Sequence, residues 1–215
     1  MTRSEQDYLK TIYSLGGAAD KVPARLVSET LGHSKPAVSE MFKRLVAKGY
    51  AIYEPYQGIR LTESGLKEAS KVLRRHRLWE LWLLEELGYP LQEVHEEAER
   101  LEHVMSDRLE EALYQYLGNP KRDPHGHPIP DVDGTMEVDQ GDPLAAFNKG
   151  DTVKVERVDD EYELLSYFQS LGLRVGMEIL IEDMAPYEGP LTIQMGNKRT
   201  IVGYRAATRI YANLA

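Results

Sequence analysis

The sequence predicts a mainly α-helical protein with small β parts: an N-terminal winged helix-turn-helix, a helical middle and a C-terminal SH3-like β-barrel. Three observations carry this. Signals for helix, short turn, helix and β-hairpin follow one another through Leu61; apolar residues at helical spacing then dominate to Leu117; after residue 150 the pattern changes to short β-branched runs. The expected divisions are 1–73 for the winged helix-turn-helix, 74–120 for the helical middle, 121–149 for a linker and 150–215 for the barrel.

The first helix is expected over 5–15, with Tyr8, Ile12 and Leu15 on one face and Gly16-Gly17 closing it. Val22 to Leu31 is a second, short helix with Pro23 near its start and Gly32 at its end. Ser34 suits the N-cap of a third helix that opens with Lys35, Pro36 and Ala37 and stops at Gly49. Tyr50 to Tyr53 and Ile59 to Leu61 flank a turn, making a hairpin. Helical sequence resumes at Thr62 and continues to Leu87, where Gly88-Tyr89-Pro90 breaks it; Leu91 to Leu117 reads as one further helix. Residues 121–149 are rich in Pro, Gly and Asp and predict little regular structure. Strands are expected at 152–155, 178–181, 191–193 and 200–202, with a helix near 162–171.

The 215 residues include no cysteine, which excludes disulfides, iron–sulfur ligation and thiolate zinc sites. No apolar run approaches a membrane span, and the N-terminus lacks a signal-peptide core, so the cytoplasm is the expected compartment. The net charge of −9 hides an asymmetry: residues 1–78 carry 14 Lys/Arg against 8 Asp/Glu, a formal +6, and the remainder −15. A basic N-terminal third suits phosphate, and an acidic remainder suits cations.

A recognition helix fits a major groove about 12 Å wide. Residues near its start reach base edges, and basic residues and the wing hold phosphates. The candidates are Ser34, Lys35, Pro36, Ala37, Ser39 and Glu40, with Lys43, Arg44 and the wing residue Arg60 for phosphate or minor groove. Val38, Met41, Phe42 and Leu45 belong to the core face. A plain three-helix domain with solvated polar positions would share this pattern; the wing and the local positive charge favour DNA.

In the acidic middle, His76 and Glu80 are one helical turn apart, and His95, Glu99, Glu102 and His103 follow at intervals of 4, 3 and 1. At ~100° per residue the latter four span an arc of roughly 100°. Asp7 lies close to the start of the first helix. Carboxylates and imidazoles without sulfur suit the harder divalent first-row metals. A solvated glutamate-rich face would also explain the run. Two enzyme readings lose their motifs: His95-Glu96-Glu97-Ala98-Glu99 lacks the second His of a zinc protease, and Leu73, Gln92 and Arg100 stand where a di-iron bundle needs Glu.

These residues resemble the metal-dependent repressors typified by the diphtheria toxin repressor and its manganese-responsive relatives. The likeness rests on Asp7-Tyr8-Leu9-Lys10-Thr11-Ile12-Tyr13, on Arg75-His76-Arg77-Leu78 with Glu80, and on the stretch from His95 to Asp107. It extends through Pro124-His125-Gly126 and Ile129-Pro130 to Leu173-Arg174-Val175-Gly176, covering nearly the whole chain. The resemblance implies a primary metal site of Asp7, Glu99, Glu102 and His103. It implies a secondary site of His76, Glu80 and His95, completed from the linker and an FeoA-type barrel by Asp123, His125 and Asp160. Glu161 matches a barrel ligand of other members, although their usual glutamine partner falls near Leu164.

Iron-responsive members carry Met and Cys at the positions of Asp7 and Glu99, so the resemblance favours Mn(II), with Fe(II) the alternative and other divalent first-row metals able to substitute. It implies a cytoplasmic homodimeric repressor of metal-uptake genes that binds double-stranded operator DNA, with no membrane, no small organic substrate and no enzymatic activity. A metal buffer that does not bind DNA is the rival. Leu78, Trp79, Trp82, Leu83 and Leu87 are the dimer-interface candidates, though packing within one subunit would also explain them.

Overall fold

The computed structural model describes residues 1–137 and 141–215. Helix α1 (Arg3–Ser14) starts two residues earlier than its apolar spacing suggests, because Thr2 forms a capping box: its hydroxyl accepts from the Glu5 amide at 3.3 Å and the Glu5 carboxylate accepts from the Thr2 amide at 3.0 Å. Helix α2 (Ala24–Leu31) ends at Gly32, whose φ of 66° is left-handed. Helix α3 (Lys35–Ala47) is capped by Ser34, which accepts from the Ala37 amide at 3.4 Å, with Pro36 in the first turn. Strands β1 (Ala51–Glu54) and β2 (Gly58–Leu61) form the antiparallel wing. One core gathers Tyr8, Leu9 and Ile12 of α1, Val38, Met41, Phe42 and Leu45 of α3, and Ala51, Ile59 and Leu61 of the wing.

Helix α4 (Glu63–Glu85) is continuous over 23 residues. The segment expected as one helix to Leu117 is instead two, α5 (Val94–Leu101) and α6 (Asp107–Tyr116). Ser106 restarts the helix, its hydroxyl accepting from the Leu109 amide at 3.2 Å and its carbonyl from the Glu110 amide at 2.9 Å. The break lets Met105 bury while Val104 turns to solvent. Glu102 and His103 therefore sit on a turn beyond α5, and the arc expected of a continuous helix does not apply to them. Helix α6 is tied to α4 through Glu110, which accepts from Arg74 Nε at 3.1 Å and Arg75 Nε at 2.7 Å.

The C-terminal sheet has six antiparallel strands in the order β3-β8-β4-β5-β6-β7: β3 (Asp142–Pro143), β4 (Thr152–Val158), β5 (Glu178–Met184), β6 (Leu191–Met195), β7 (Lys198–Val202) and β8 (Ile210–Leu214). Helix α7 (Tyr162–Leu171) packs its Leu164, Leu165 and Phe168 into the same core as Val153, Val155, Ile181 and Ile193. Strand β8 and the short helix α8 (Tyr204–Ala207) lie beyond the last strand expected from sequence. The expected linker, of which residues 138–140 lie outside the described residues, is more ordered in its described part than its composition suggests. Asp123, His125 and Ile129 are buried, Arg122 bridges Pro128, and a 3-10 turn spans Leu144–Ala146.

The chain divides into two compact units: residues 1–76, 99–112 and 130–136 form one, and residues 77–98, 113–129 and 137–215 the other. Residues 74–120 are thus shared between them.

Gly65, in the first turn of α4, tests the packing of this helix. Alanine normally stabilises a helix by about 1 kcal/mol relative to glycine. A Cβ at Gly65 would lie 1.9 Å from the Tyr50 carbonyl oxygen, so backbone must move. Gly65→Ala is expected to destabilise by roughly 1–3 kcal/mol in urea titrations, reversing the sign of the propensity.

Candidate metal centre and DNA-facing surface

Helix α3 buries its apolar stripe and leaves Ser34, Lys35, Pro36, Ala37, Glu40, Lys43 and Arg44 exposed, with Ser39 half-buried. Arg60 is exposed on β2. Glu40 and Arg44 pair at 3.0 Å, one turn apart. Helix α1 holds both ends of α3: the Tyr8 hydroxyl lies 2.9 Å from His33 Nδ1 just before the Ser34 cap, and Lys48 Nζ lies 2.8 Å from Glu5 Oε1 at the far end.

On another face of α1, Asp7 meets Glu99 of α5 and Glu102 and His103 of the following turn, their ligand atoms all within 4.8 Å of one another. His103 Nδ1 lies 2.8 Å from Gln6 Oε1. An amide oxygen only accepts, so Nδ1 donates and a neutral ring keeps its lone pair on Nε2. That Nε2 lies 2.9 Å from Asp7 Oδ1 and 3.3 Å from Glu102 Oε1. Asp7 Oδ1 and His103 Nε2 are both buried, and neither makes a hydrogen bond. Two buried, unbonded electron-pair donors facing each other, with the imidazole oriented from behind by an amide, fit a divalent cation. Burial raises the Asp7 pKa, and Glu99 and Glu102 add to the effect while the adjoining His103 opposes it.

Two further groups, Lys10 and His76, enter this cluster. Lys10 Nζ contacts Glu99 Oε1 and lies 2.8 and 2.9 Å from the two Glu102 oxygens. His76, assigned by resemblance to the other site, places Nδ1 2.6 Å from Glu102 Oε2. The three-residue step from Asp7 to Lys10 on one helix was the available signal for the first.

A second group of donors forms around Glu80 of α4. His95 Nδ1, at the start of α5, lies 3.2 Å from Glu80 Oε1 and 2.8 Å from Asp160 Oδ2. The fully buried His125 places Nδ1 3.7 Å from Glu80 Oε2 and Nε2 3.7 Å from Asp160 Oδ1. His76 lies one turn before Glu80 on α4. Burial disfavours charge on both rings, but Asp160 and Glu80 outweigh it for His95, raising its pKa to about 10, and Glu80 above all does so for His125, at about 9. Glu161 is not brought to this group; it caps α7 and pairs with Arg209. Asp123 serves the loop, accepting from the amides of His125 and His127 at 2.8 and 2.9 Å, and its other oxygen lies 3.3 Å from His127 Nδ1.

Of the interface candidates, Leu78 and Leu83 are buried within the subunit, Trp79 and Trp82 stack edge-to-face at 5.5 Å and are half-buried, and Leu87 is exposed. The exposed apolar side chains Val104, Leu109 and Tyr116 on and around α6 were not anticipated.

A winged helix whose first helix contributes one carboxylate, Asp7, to a carboxylate–imidazole centre defines a metal-responsive DNA-binding regulator. Comparison with known proteins agrees. Residues 1–59 match the iron dependent repressor N-terminal DNA binding domain, residues 62–131 the iron dependent repressor metal binding and dimerisation domain, and residues 143–214 the FeoA domain. The chain is 34% identical over 184 residues to the diphtheria toxin repressor of Corynebacterium efficiens, covering 80% of each chain. It is 32% identical over 191 residues to the iron-dependent repressor IdeR of Mycobacterium leprae, covering 81% of this chain and 82% of that one. A solved manganese-dependent transcriptional repressor in complex with manganese superposes with a TM-score of 0.86 at 35% identity, covering 98% of this chain and 100% of that one. The chain belongs to the diphtheria toxin repressor family of metal-dependent transcriptional repressors, which are regulators and not enzymes. Among the described residues no helix is long and apolar enough to cross a membrane.

The raised imidazole pKa values carry a pH consequence. Unperturbed at 6.5, His95 and His125 are held at about 10 and about 9 in the fold, so their ion pairs stabilise the metal-free protein fully below pH 6.5. That stabilisation is lost as pH rises through 9 to 10. The melting temperature in chelator should fall over this interval, and His95→Gln should flatten the fall; a melting temperature that climbs instead removes these pairs from the account.

Proposed function

We propose that this repressor responds to Mn(II), held primarily by Asp7, Glu99, Glu102 and His103, and that the loaded homodimer binds double-stranded operator DNA to silence metal-uptake genes in the cytoplasm. The observation that carries the reading is the facing pair of unbonded buried donors, Asp7 Oδ1 and His103 Nε2. Every donor in the set is oxygen or imidazole nitrogen, which suits manganese more than a sulfur-containing set would. Bound there, a divalent cation supplies two positive charges among three carboxylates. Asp7 is then fixed against Glu99, Glu102 and His103, which fixes α1; α1 fixes α3 through Tyr8 and Glu5. In a dimer this favours the spacing of about 34 Å at which two recognition helices enter successive major grooves.

Glu80, His95, Asp160 and His125 form the second site in this reading, with His76 beside Glu80 on α4. Val104, Leu109 and Tyr116 join Leu87 and the tryptophans as candidates for the partner surface. Fe(II) is the second reading, favoured by the likeness to iron-dependent IdeR, and other divalent first-row metals are expected to substitute in vitro.

Gel shifts on the protein's own upstream DNA with Mn(II), Fe(II) and Zn(II) test this. Asp7→Met should weaken activation by Mn(II) selectively, and Glu99→Ala should weaken activation by all three metals. Operator binding that is equal with and without metal would defeat the proposal. Independently, Lys43→Ala and Arg60→Ala should each flatten the dependence of log affinity on log salt by about 1.8 per homodimer if each copy neutralises one phosphate, since each substitution occurs in both subunits. An unchanged slope excludes that residue from backbone contact.

A further inference from the structure

The primary cluster contains a fifth member that a metal-ligand set does not require. Lys10 lies one turn beyond Asp7 on α1, and its side chain is only 12% exposed. Its ammonium contacts Glu99 and bridges both oxygens of Glu102 at 2.8 and 2.9 Å. Burying an ammonium is unfavourable unless carboxylates surround it. The lysine is thus a committed cation lodged among the metal's own carboxylates.

We propose that Lys10 is a tethered counter-cation of the primary site: its ammonium holds the space between Glu99 and Glu102 in the metal-free protein, leaves when a divalent cation binds, and thereby sets the metal concentration at which the repressor responds. This rests on the reading of Asp7, Glu99, Glu102 and His103 as the metal site. Three physical points support it. An ammonium and a divalent ion cannot share the same carboxylate oxygens at contact distance without strong repulsion. The lysine is attached to the site, so it competes at an effective concentration that dilution does not reduce. Its flexible four-carbon stem lets it depart without moving α1, which Asp7 then anchors.

The lysine also stabilises the metal-free protein, because its ammonium is the lysine or arginine charge seated among Asp7, Glu99 and Glu102. Removing it should therefore move two quantities in opposite directions: metal binds more tightly, and the metal-free fold melts sooner. A merely supportive lysine would make both worse.

The test compares wild type, Lys10→Met and Lys10→Gln as full-length chains, by calorimetric titration with Mn(II) and by thermal melting in chelator and in Mn(II). Methionine keeps the apolar stem and glutamine keeps a hydrogen-bond donor, so an effect common to both belongs to the charge. Both variants should bind Mn(II) about 10- to 100-fold more tightly, equivalent to about 1.4–2.7 kcal/mol. Both should melt lower without metal and show a larger rise in melting temperature on loading. Affinity that is unchanged or weaker in both variants, with wild type binding normally, overturns the role of Lys10 alone. If wild type takes up no Mn(II), or takes it up equally after Glu102→Ala, the reading of the site fails and Lys10 falls with it.

Discussion

The structure depends on the confinement of three carboxylates, Asp7, Glu99 and Glu102, within a few ångströms of one another around a buried imidazole. Like charges at that separation oppose folding, and burial sharpens the opposition because water no longer screens them. From spacing alone the empty cluster would be self-repelling. The fold answers with a cation of its own, Lys10, which bridges Glu99 and Glu102, while His76 contacts Glu102 from α4. Asp7 and His103 complete the cluster, with His103 Nε2 2.9 Å from Asp7 Oδ1.

Helix α1 turns that local electrostatics into a statement about DNA. With a period of 3.6 residues, Tyr8, Leu9 and Ile12 face the core shared with α3, while Asp7 and Lys10 face α5. The same helix reaches α3 at both ends through Tyr8 and Glu5, so its position and that of the recognition helix are not independent. Asp7 therefore stands on the same helix as the two contacts that hold α3.

Much of this was legible because it is local. Ser34 and Pro36 announce the start of α3 and Gly49, with a φ of 77°, its end, through local backbone chemistry. The ligand types were legible as well, through their resemblance to a known family. What escaped was tertiary. The glutamate-rich run after Leu91 reads as one helix, yet Met105 gains a buried site only if the chain turns, and Ser106 supplies the cap that makes the turn inexpensive. Asp160 and Glu161 are adjacent and chemically alike; only the start of α7 decides that the first meets His95 while the second pairs with Arg209. Lys10 drew no reading of its own, because nothing in its own turn shows that the residues from Glu99 to His103 will lie against it. Leu78 and Leu83 look like interface residues because periodicity marks an apolar face without saying what covers it.

Glu102 has partners beyond the carboxylate cluster. It belongs to the first donor group, yet one of its oxygens is hydrogen-bonded to His76, and His76 stands one turn from Glu80, the carboxylate around which the second group is built. If Glu102 gives up one oxygen to a cation, Lys10 and His76 each lose or redirect a partner, so the occupant of the cluster and the hydrogen bonds around it are not set independently.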